Sequence, residues 1–198
     1  SEELKHGRGE LSKYDLKYYV TLAKELEKSG ADIIGIKDMA GLLRPYAAQI
    51  LVKALRDGIS LPIHFHTHDT SGVQAAAYLK AAEVGVDIVD CAFASMSGVT
   101  SQPCLEGVVA SLEHTPRDTG LVLRNLEPFS AYWEAVRGWY APFESDLKTP
   151  TGEVYRTEMP GGQYSNWRSQ TEQWGLGSKW LELKDASAAV NEMLGGII

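Results

Sequence analysis

The stretch Leu61-Pro62-Ile63-His64-Phe65-His66-Thr67-His68-Asp69 decides the fold, because its side chains alternate with a period of two. That is the period of a β-strand, whose successive side chains point to opposite faces. His64, His66 and His68 therefore share one face, and Ile63, Phe65 and Thr67 share the other. Two imidazoles at i and i+2, at the C-terminal end of a strand, stand where metal ligands stand. The alternative for His66 and His68 is a pair of hydrogen-bonded interior histidines. His64 lies one layer deeper and reads as a hydrogen-bonded core residue. His6 and His114 lie in polar surroundings and read as surface residues.

Outward from this strand the chain repeats itself. An earlier strand, Ala31-Asp32-Ile33-Ile34-Gly35-Ile36-Lys37-Asp38, precedes it, and Val86 to Ala94 reads as a third. Leu16, Tyr19, Val20, Ala23 and Leu26 recur at helical spacing over 14–28, and Gly30 closes that helix. Ala48, Leu51, Val52 and Leu55 predict a helix from Pro45 to about Asp57. Another starts at Thr70 or Ser71, runs to Val84, and is closed by Gly85. The junctions Gly30-Ala31-Asp32-Ile33-Ile34 and Gly85-Val86-Asp87-Ile88-Val89 are near copies.

Strands alternating with helices make a parallel sheet with right-handed crossovers. An open doubly wound sheet and a (β/α)8 barrel both fit. No glycine-rich phosphate loop follows any strand; Ser95-Met96-Ser97-Gly98-Val99 has a single glycine. Polar residues crowd the C-terminal strand ends, where a barrel carries its active site. The expected class is thus α/β, a TIM barrel. Three strands cannot close it and would leave apolar edges open, so a piece of a larger domain is expected. Residues 1–12 read as a leader or loop, 13–120 as the barrel portion and 121–198 as a helical extension. Phe129, Tyr132, Trp133, Val136, Trp139 and Tyr140 form a stripe on a helix over 126–140, expected in the core. Residues 141–163 read as loop, and two further helices are expected over 165–174 and 179–194.

Bulk properties exclude some functions. The chain has 198 residues, 44% hydrophobic and 23% charged, with a net charge of −7. That balance argues against nucleic-acid or anionic-membrane binding. No apolar run is long enough to span a bilayer, and residues 1–10 lack a signal-peptide core. Two cysteines, Cys91 and Cys104, do not make a disulfide framework and favour a reducing compartment.

Lys37 ends the first strand on the histidine face. An ammonium beside a metal and two imidazoles is unfavourable. It is therefore neutral, or points away to solvent, or is converted to a carbamate by carbon dioxide. Asp38 and Asp69 follow candidate ligands but face away from them, and read as caps of the following helices. Asp90 faces inward and needs a partner, for which His64 is the candidate. Ser95, Ser97, Thr100, Ser101 and Gln102 form a polar loop that is a candidate for substrate contact.

Five segments then carry a resemblance. They are Ile36-Lys37-Asp38-Met39-Ala40-Gly41-Leu42-Leu43, His64-Phe65-His66-Thr67-His68-Asp69-Thr70-Ser71-Gly72 and Ser97-Gly98-Val99-Thr100-Ser101-Gln102-Pro103. The others are Phe143-Glu144-Ser145-Asp146-Leu147-Lys148 and Glu158-Met159-Pro160-Gly161-Gly162-Gln163-Tyr164. Their sequence and order resemble the carboxyltransferase domain of the pyruvate carboxylases, over about residues 13–198. The resemblance implies the last three strands of a (β/α)8 TIM barrel followed by an α-helical extension. It implies a divalent metal, zinc or manganese, held by Lys37 as a carboxylated lysine and by His66 and His68. Lys37 is thereby also a catalytic residue.

The implied reaction passes a carboxyl group from carboxybiotin, whose biotin rides on another domain, to pyruvate, giving oxaloacetate. The implied enzyme is a homotetramer of the bacterial cytoplasm or the mitochondrial matrix. The family's aspartate ligand and its pyruvate-holding glutamine and arginines belong to an earlier strand that has no counterpart here. Its proton-shuttling threonine falls just past a stretch like Gly195-Gly196-Ile197-Ile198. A catalytically incomplete fragment is the expectation. The competing expectations are a metal-dependent carbon–carbon lyase of the same barrel superfamily, against which Lys37 argues, and a non-catalytic assembly segment.

Overall fold

The structure, a computed structural model, describes residues 14–145 and 147–194. The expected leader over 1–12, His6, Asp146 and the stretch 195–198 lie outside the described residues.

Helix α1 (Leu16–Lys28) begins at Asp15, whose carboxylate accepts the Tyr18 N–H at 2.7 Å, as an N-cap does. It ends on Gly30, at φ 91°. There the Gly30 N–H donates to Glu27 O and the Ala31 N–H to Leu26 O, 3.0 and 3.2 Å away. The left-handed turn closes the last carbonyls and sends the chain into strand β1 (Ile34–Asp38). Helix α2 (Pro45–Gly58) starts on its proline, which lacks the N–H that a first turn cannot use. Strand β2 (Ile63–Thr67), helix α3 (Gln74–Glu83) and strand β3 (Ile88–Val89) complete the repeat. The α3 end copies that of α1. Gly85, at φ 101°, donates to Ala82 O, and Val86 donates to Ala81 O.

The strands are parallel in the order β1-β2-β3, with Lys37 opposite His66 and His64 opposite Ile88. One face of this sheet is dry. Ile34, Ile63, Phe65 and Thr67 are buried there against Val52, Leu55, Ala77, Tyr78 and Ala81 of α2 and α3. Burial of each large apolar side chain contributes about 1.5–3 kcal/mol. The other face carries Gly35, Lys37, His64 and His66 and is partly or fully open. Sheet and face assignments agree with the alternation read in the sequence.

Several expectations are corrected. The third strand is shorter than 86–94: beyond Ile88–Val89 only Ala92 pairs again, in a bridge to Cys104. The reason is a change of partner, since the Ala92 N–H donates to Pro103 O and its carbonyl accepts the Leu105 N–H. The helix expected from Thr70 or Ser71 starts at Gln74, because Gly72 first makes a left-handed turn at φ 74°. The aromatic stripe is not core. It lies on helix α5 (Leu123–Tyr140), which follows α4 (Leu105–Leu112), and no α5 residue is buried. Trp139 and Tyr132 are 85% and 61% exposed. α5 is attached along one side, where Phe129 stacks on Phe93 and Arg137 donates to the Ser95 carbonyl.

The extension continues with α6 (Val154–Thr157), inside the expected loop, then α7 (Gly161–Gln173) and α8 (Trp180–Met193). Helix α7 starts earlier than the periodicity indicated, at Gly161. This part docks on the C-terminal ends of the strands. The Thr151 N–H donates to Thr70 O at 2.8 Å, and the Gly161 N–H donates to Met39 O at 3.0 Å. The Tyr155 hydroxyl lies 3.2 Å from Ser71 Oγ.

The capping glycines give a test by contrast. Gly85→Ala places a side chain in the left-handed region and is expected to cost about 1–2 kcal/mol in urea unfolding. Gly138→Ala, inside α5 with open space around it, is expected to gain up to about 1 kcal/mol.

Candidate functional site

The polar face of the sheet holds one hydrogen-bond network. The Asp90 carboxylate, just past β3, lies 2.8 Å from His64 Nε2 and 2.7 Å from His66 Nδ1, one oxygen to each. Burial pushes the Asp90 carboxyl up, but the hydrogen bonds from His66 and His64 outweigh it and hold it below the usual carboxylate range. The carboxylate is thus charged and can only accept. His68 Nδ1 lies 2.6 Å from the Thr100 carbonyl oxygen, which also only accepts.

The tautomers follow. His66 and His68 both carry their proton on Nδ1, so as neutral rings both leave Nε2 bare. Those two Nε2 atoms face each other at 3.4 Å, with the rings edge to face. Facing lone pairs repel unless a proton or a cation sits between them. Two nitrogens each about 2.05 Å from one tetrahedral cation are about 3.3 Å apart. The donor set, its spacing and its outer hydrogen bonds therefore fit a shared cation.

Lys37 stands beside this pair by register, opposite His66 on the adjacent strand, with its side chain exposed. Among the described residues it makes no hydrogen bond or ion pair. No group of three or more His, Cys, Asp or Glu side chains converges as a metal-ligand set among the described residues. The structure thus brings His66 and His68 together, sets Lys37 on the same face, and ties His64 to Asp90.

Asp90 takes both inner imidazoles, where the sequence offered only His64. Asp38 holds its own loop: it accepts from the N–H groups of Leu42 and Leu43 at 2.9 and 2.8 Å, and from Thr67 Oγ1 at 2.9 Å. Asp69 accepts the N–H of Gln74, the first residue of α3, as a cap would. The polar loop bonds inward, its Ser101 carbonyl accepting the Asp69 N–H at 2.8 Å. Cys91 and Cys104 are free thiols. Burial pushes Cys91 up to about 12, which removes it as a nucleophile.

The sequence reading missed how His68 is held. At Gly41, φ 70°, an added Cβ would lie 2.2 Å from the His68 carbonyl oxygen. At Gly161 it would lie 3.0 Å from His68 Nδ1 and 3.2 Å from the Thr100 carbonyl oxygen. Val99 sits at φ 52°, a strained place for a β-branched residue, and turns the next carbonyl, that of Thr100, to His68. Gly41 and Gly161 stand inside quoted motifs, which was a signal. A backbone carbonyl has none, since every residue carries one.

Comparison with known proteins adds two family matches. Residues 2–131 match the HMGL-like model, and residues 154–198 match a conserved carboxylase domain. The chain is 51% identical over 187 residues to pyruvate carboxylase of Bacillus subtilis and 48% identical over 190 residues to the human mitochondrial enzyme. Each alignment covers 94% of this chain and 16% of the relative. The carboxyl transferase domain of Rhizobium etli pyruvate carboxylase, solved with pyruvate, superposes with a TM-score of 0.92 at 56% identity. That match covers 94% of this chain and 32% of the solved one. The same domain solved with pyruvate and biocytin also gives 0.92.

Gly161→Ala tests the cradle. Its methyl group is expected to push the His68 ring off the Thr100 carbonyl by a few tenths of an ångström. A crystal structure or the Nδ1–H proton resonance of His68 would read the change, with α7 intact by circular dichroism.

Proposed function

This chain belongs to the HMGL-like family, and from that premise we propose that it forms part of the carboxyltransferase centre of a biotin-dependent pyruvate carboxylase. The reaction proposed is transfer of a carboxyl group from carboxybiotin to pyruvate, giving oxaloacetate. The chain spans 16% of the length of the curated relatives it matches, so the activity belongs to the whole protein. The observation that carries the reading is the pair of bare Nε2 atoms on His66 and His68, 3.4 Å apart.

In this reading His66 and His68 hold a divalent metal, zinc or manganese, together with Lys37. The neutral Lys37 amine attacks carbon dioxide, a nitrogen–carbon bond forms, one proton leaves, and the carbamate supplies anionic oxygen donors. This removes the conflict of an ammonium beside two imidazoles. When bound, the metal supplies Lewis-acid stabilisation of the negative charge that develops on a keto-acid oxygen. Asp90 keeps the His66 ring in its Nδ1–H tautomer and raises the basicity of Nε2. The Thr100 carbonyl does the same for His68. Gly161 of the extension lies against the His68 ring and backs it on that side.

Support for a carboxylase over a carbon–carbon lyase comes from the conserved carboxylase match over 154–198 and from Lys37 beside the histidines. Pyruvate and carboxybiotin are the proposed partners. Assembly as a homo-oligomer, a tetramer in the intact enzyme, is proposed with them. The compartment proposed is bacterial cytoplasm or mitochondrial matrix. Among the described residues no helix is long and apolar enough to cross a membrane.

The test is intact mass in bicarbonate buffer with metal analysis of the same sample. One metal per chain and a mass excess of one carbon dioxide are expected. Lys37→Ala should lose the adduct, and His66→Ala the metal. Asp90→Asn, which keeps the shape and removes the charge, is expected to weaken metal affinity by about tenfold to a hundredfold. Neither metal nor adduct in the unaltered protein would overturn the reading.

A further inference from the structure

Tyr78 lies on the far side of the sheet from the histidines, on α3, and is 1% exposed. Its ring packs edge to face on Phe65, 5.1 Å between centroids. Its hydroxyl does something that ring packing does not require. It accepts the Thr67 N–H at 3.2 Å and donates to the Asp90 carbonyl at 2.7 Å. Those two backbone groups belong to β2 and to the residue just past β3. Just before them the strands bond directly, the Asp90 N–H reaching Phe65 O and the Asp87 N–H reaching Ile63 O. At the next position a hydroxyl stands between donor and acceptor, a rung built from a side chain.

The consequence is geometric. An interposed oxygen holds two backbones farther apart than a direct N–H to carbonyl bond does. The spreading falls at Asp90, whose side chain projects to the other face between His64 and His66. We infer that Tyr78 is a positioning residue for the metal centre: its hydroxyl sets the gap between β2 and β3 that lets one Asp90 carboxylate engage both imidazoles. This inference rests on the proposed metal reading and adds a residue to it that touches neither metal nor histidine. Loss of the hydroxyl would leave the buried Thr67 N–H and the Asp90 carbonyl to bond each other directly, drawing Asp90 toward β2. Burial pushes the phenol well above its ordinary range, so the hydroxyl keeps its proton as donor.

The experiment uses the whole protein loaded with cobalt(II), whose visible absorption reports ligand geometry. Three proteins are compared: native, Tyr78→Phe, and Val52→Ala as a core-destabilising control on α2 that keeps the Tyr78 hydroxyl. Native protein that binds no cobalt would sink the metal reading itself. With native binding present, Tyr78→Phe is expected to weaken cobalt affinity by about tenfold and to shift the absorption band. Val52→Ala should lower the melting temperature while leaving affinity and band unchanged. Native-like affinity and spectrum in Tyr78→Phe would overturn the inference, as would equal loss in the Val52→Ala control. If Tyr78→Phe does not fold, 3-fluorotyrosine at position 78 keeps the ring and weakens the hydroxyl as an acceptor. A moved band then supports the role, and an unmoved band ends it.

Discussion

A carboxylate shared by two imidazoles organises the polar face of this sheet. With one oxygen on His64 and one on His66, Asp90 spends both acceptors within the protein. It fixes which nitrogen of His66 carries the proton, and so which one is left bare. The Thr100 carbonyl repeats the operation on His68. Neither ring is then free to turn its Nε2 away from the other without breaking a short hydrogen bond. The arrangement is built at some cost, because it stores facing lone pairs and a left-handed valine at position 99. Such costs are kept where a bound group repays them.

The supports of this face come from elsewhere in the chain. The dry face contributes helix α3, with Tyr78 reaching through to the backbone of Asp90. The extension contributes Gly161, whose missing side chain leaves room for the His68 ring. Thr100 Oγ1 meets Ser165 Oγ of α7 at 3.0 Å, a second tie between the same loop and the same helix. Barrel portion and extension therefore share one site, although their sequences read as separate regions.

Much of this was legible in the sequence. The period-two pattern of 61–69 located the strand and sorted its faces, since a slip by one residue would bury three imidazoles and expose Phe65. The repeated glycine junctions marked both helix ends because only glycine enters the left-handed turn freely. What stayed hidden depends on contacts between distant segments. The third strand ended early because Ala92 found partners at 103 and 105, which no local pattern encodes. The α5 stripe read as core because aromatic residues at helical spacing usually are; composition does not say whether a surface to cover them is present. His66 acquired Asp90 as partner through a crossover of 24 residues, and its tautomer could be assigned only with that partner in place.

At the opposite end of the sheet Arg56 makes a different kind of joint. Its guanidinium donates to the carbonyls of Gly85 and Leu61 and pairs with Asp87, whose carboxylate also accepts the Ile63 N–H at 2.7 Å. Two of the three receiving groups are main chain. Residue 61 can therefore drift in identity without loosening the joint, whereas Gly85 is held to glycine by its own left-handed turn. Drift at Arg56 or Asp87 would be felt at once by both strands. At this end of the sheet the joint thus absorbs change at Leu61 and does not absorb it at Arg56, Gly85 or Asp87.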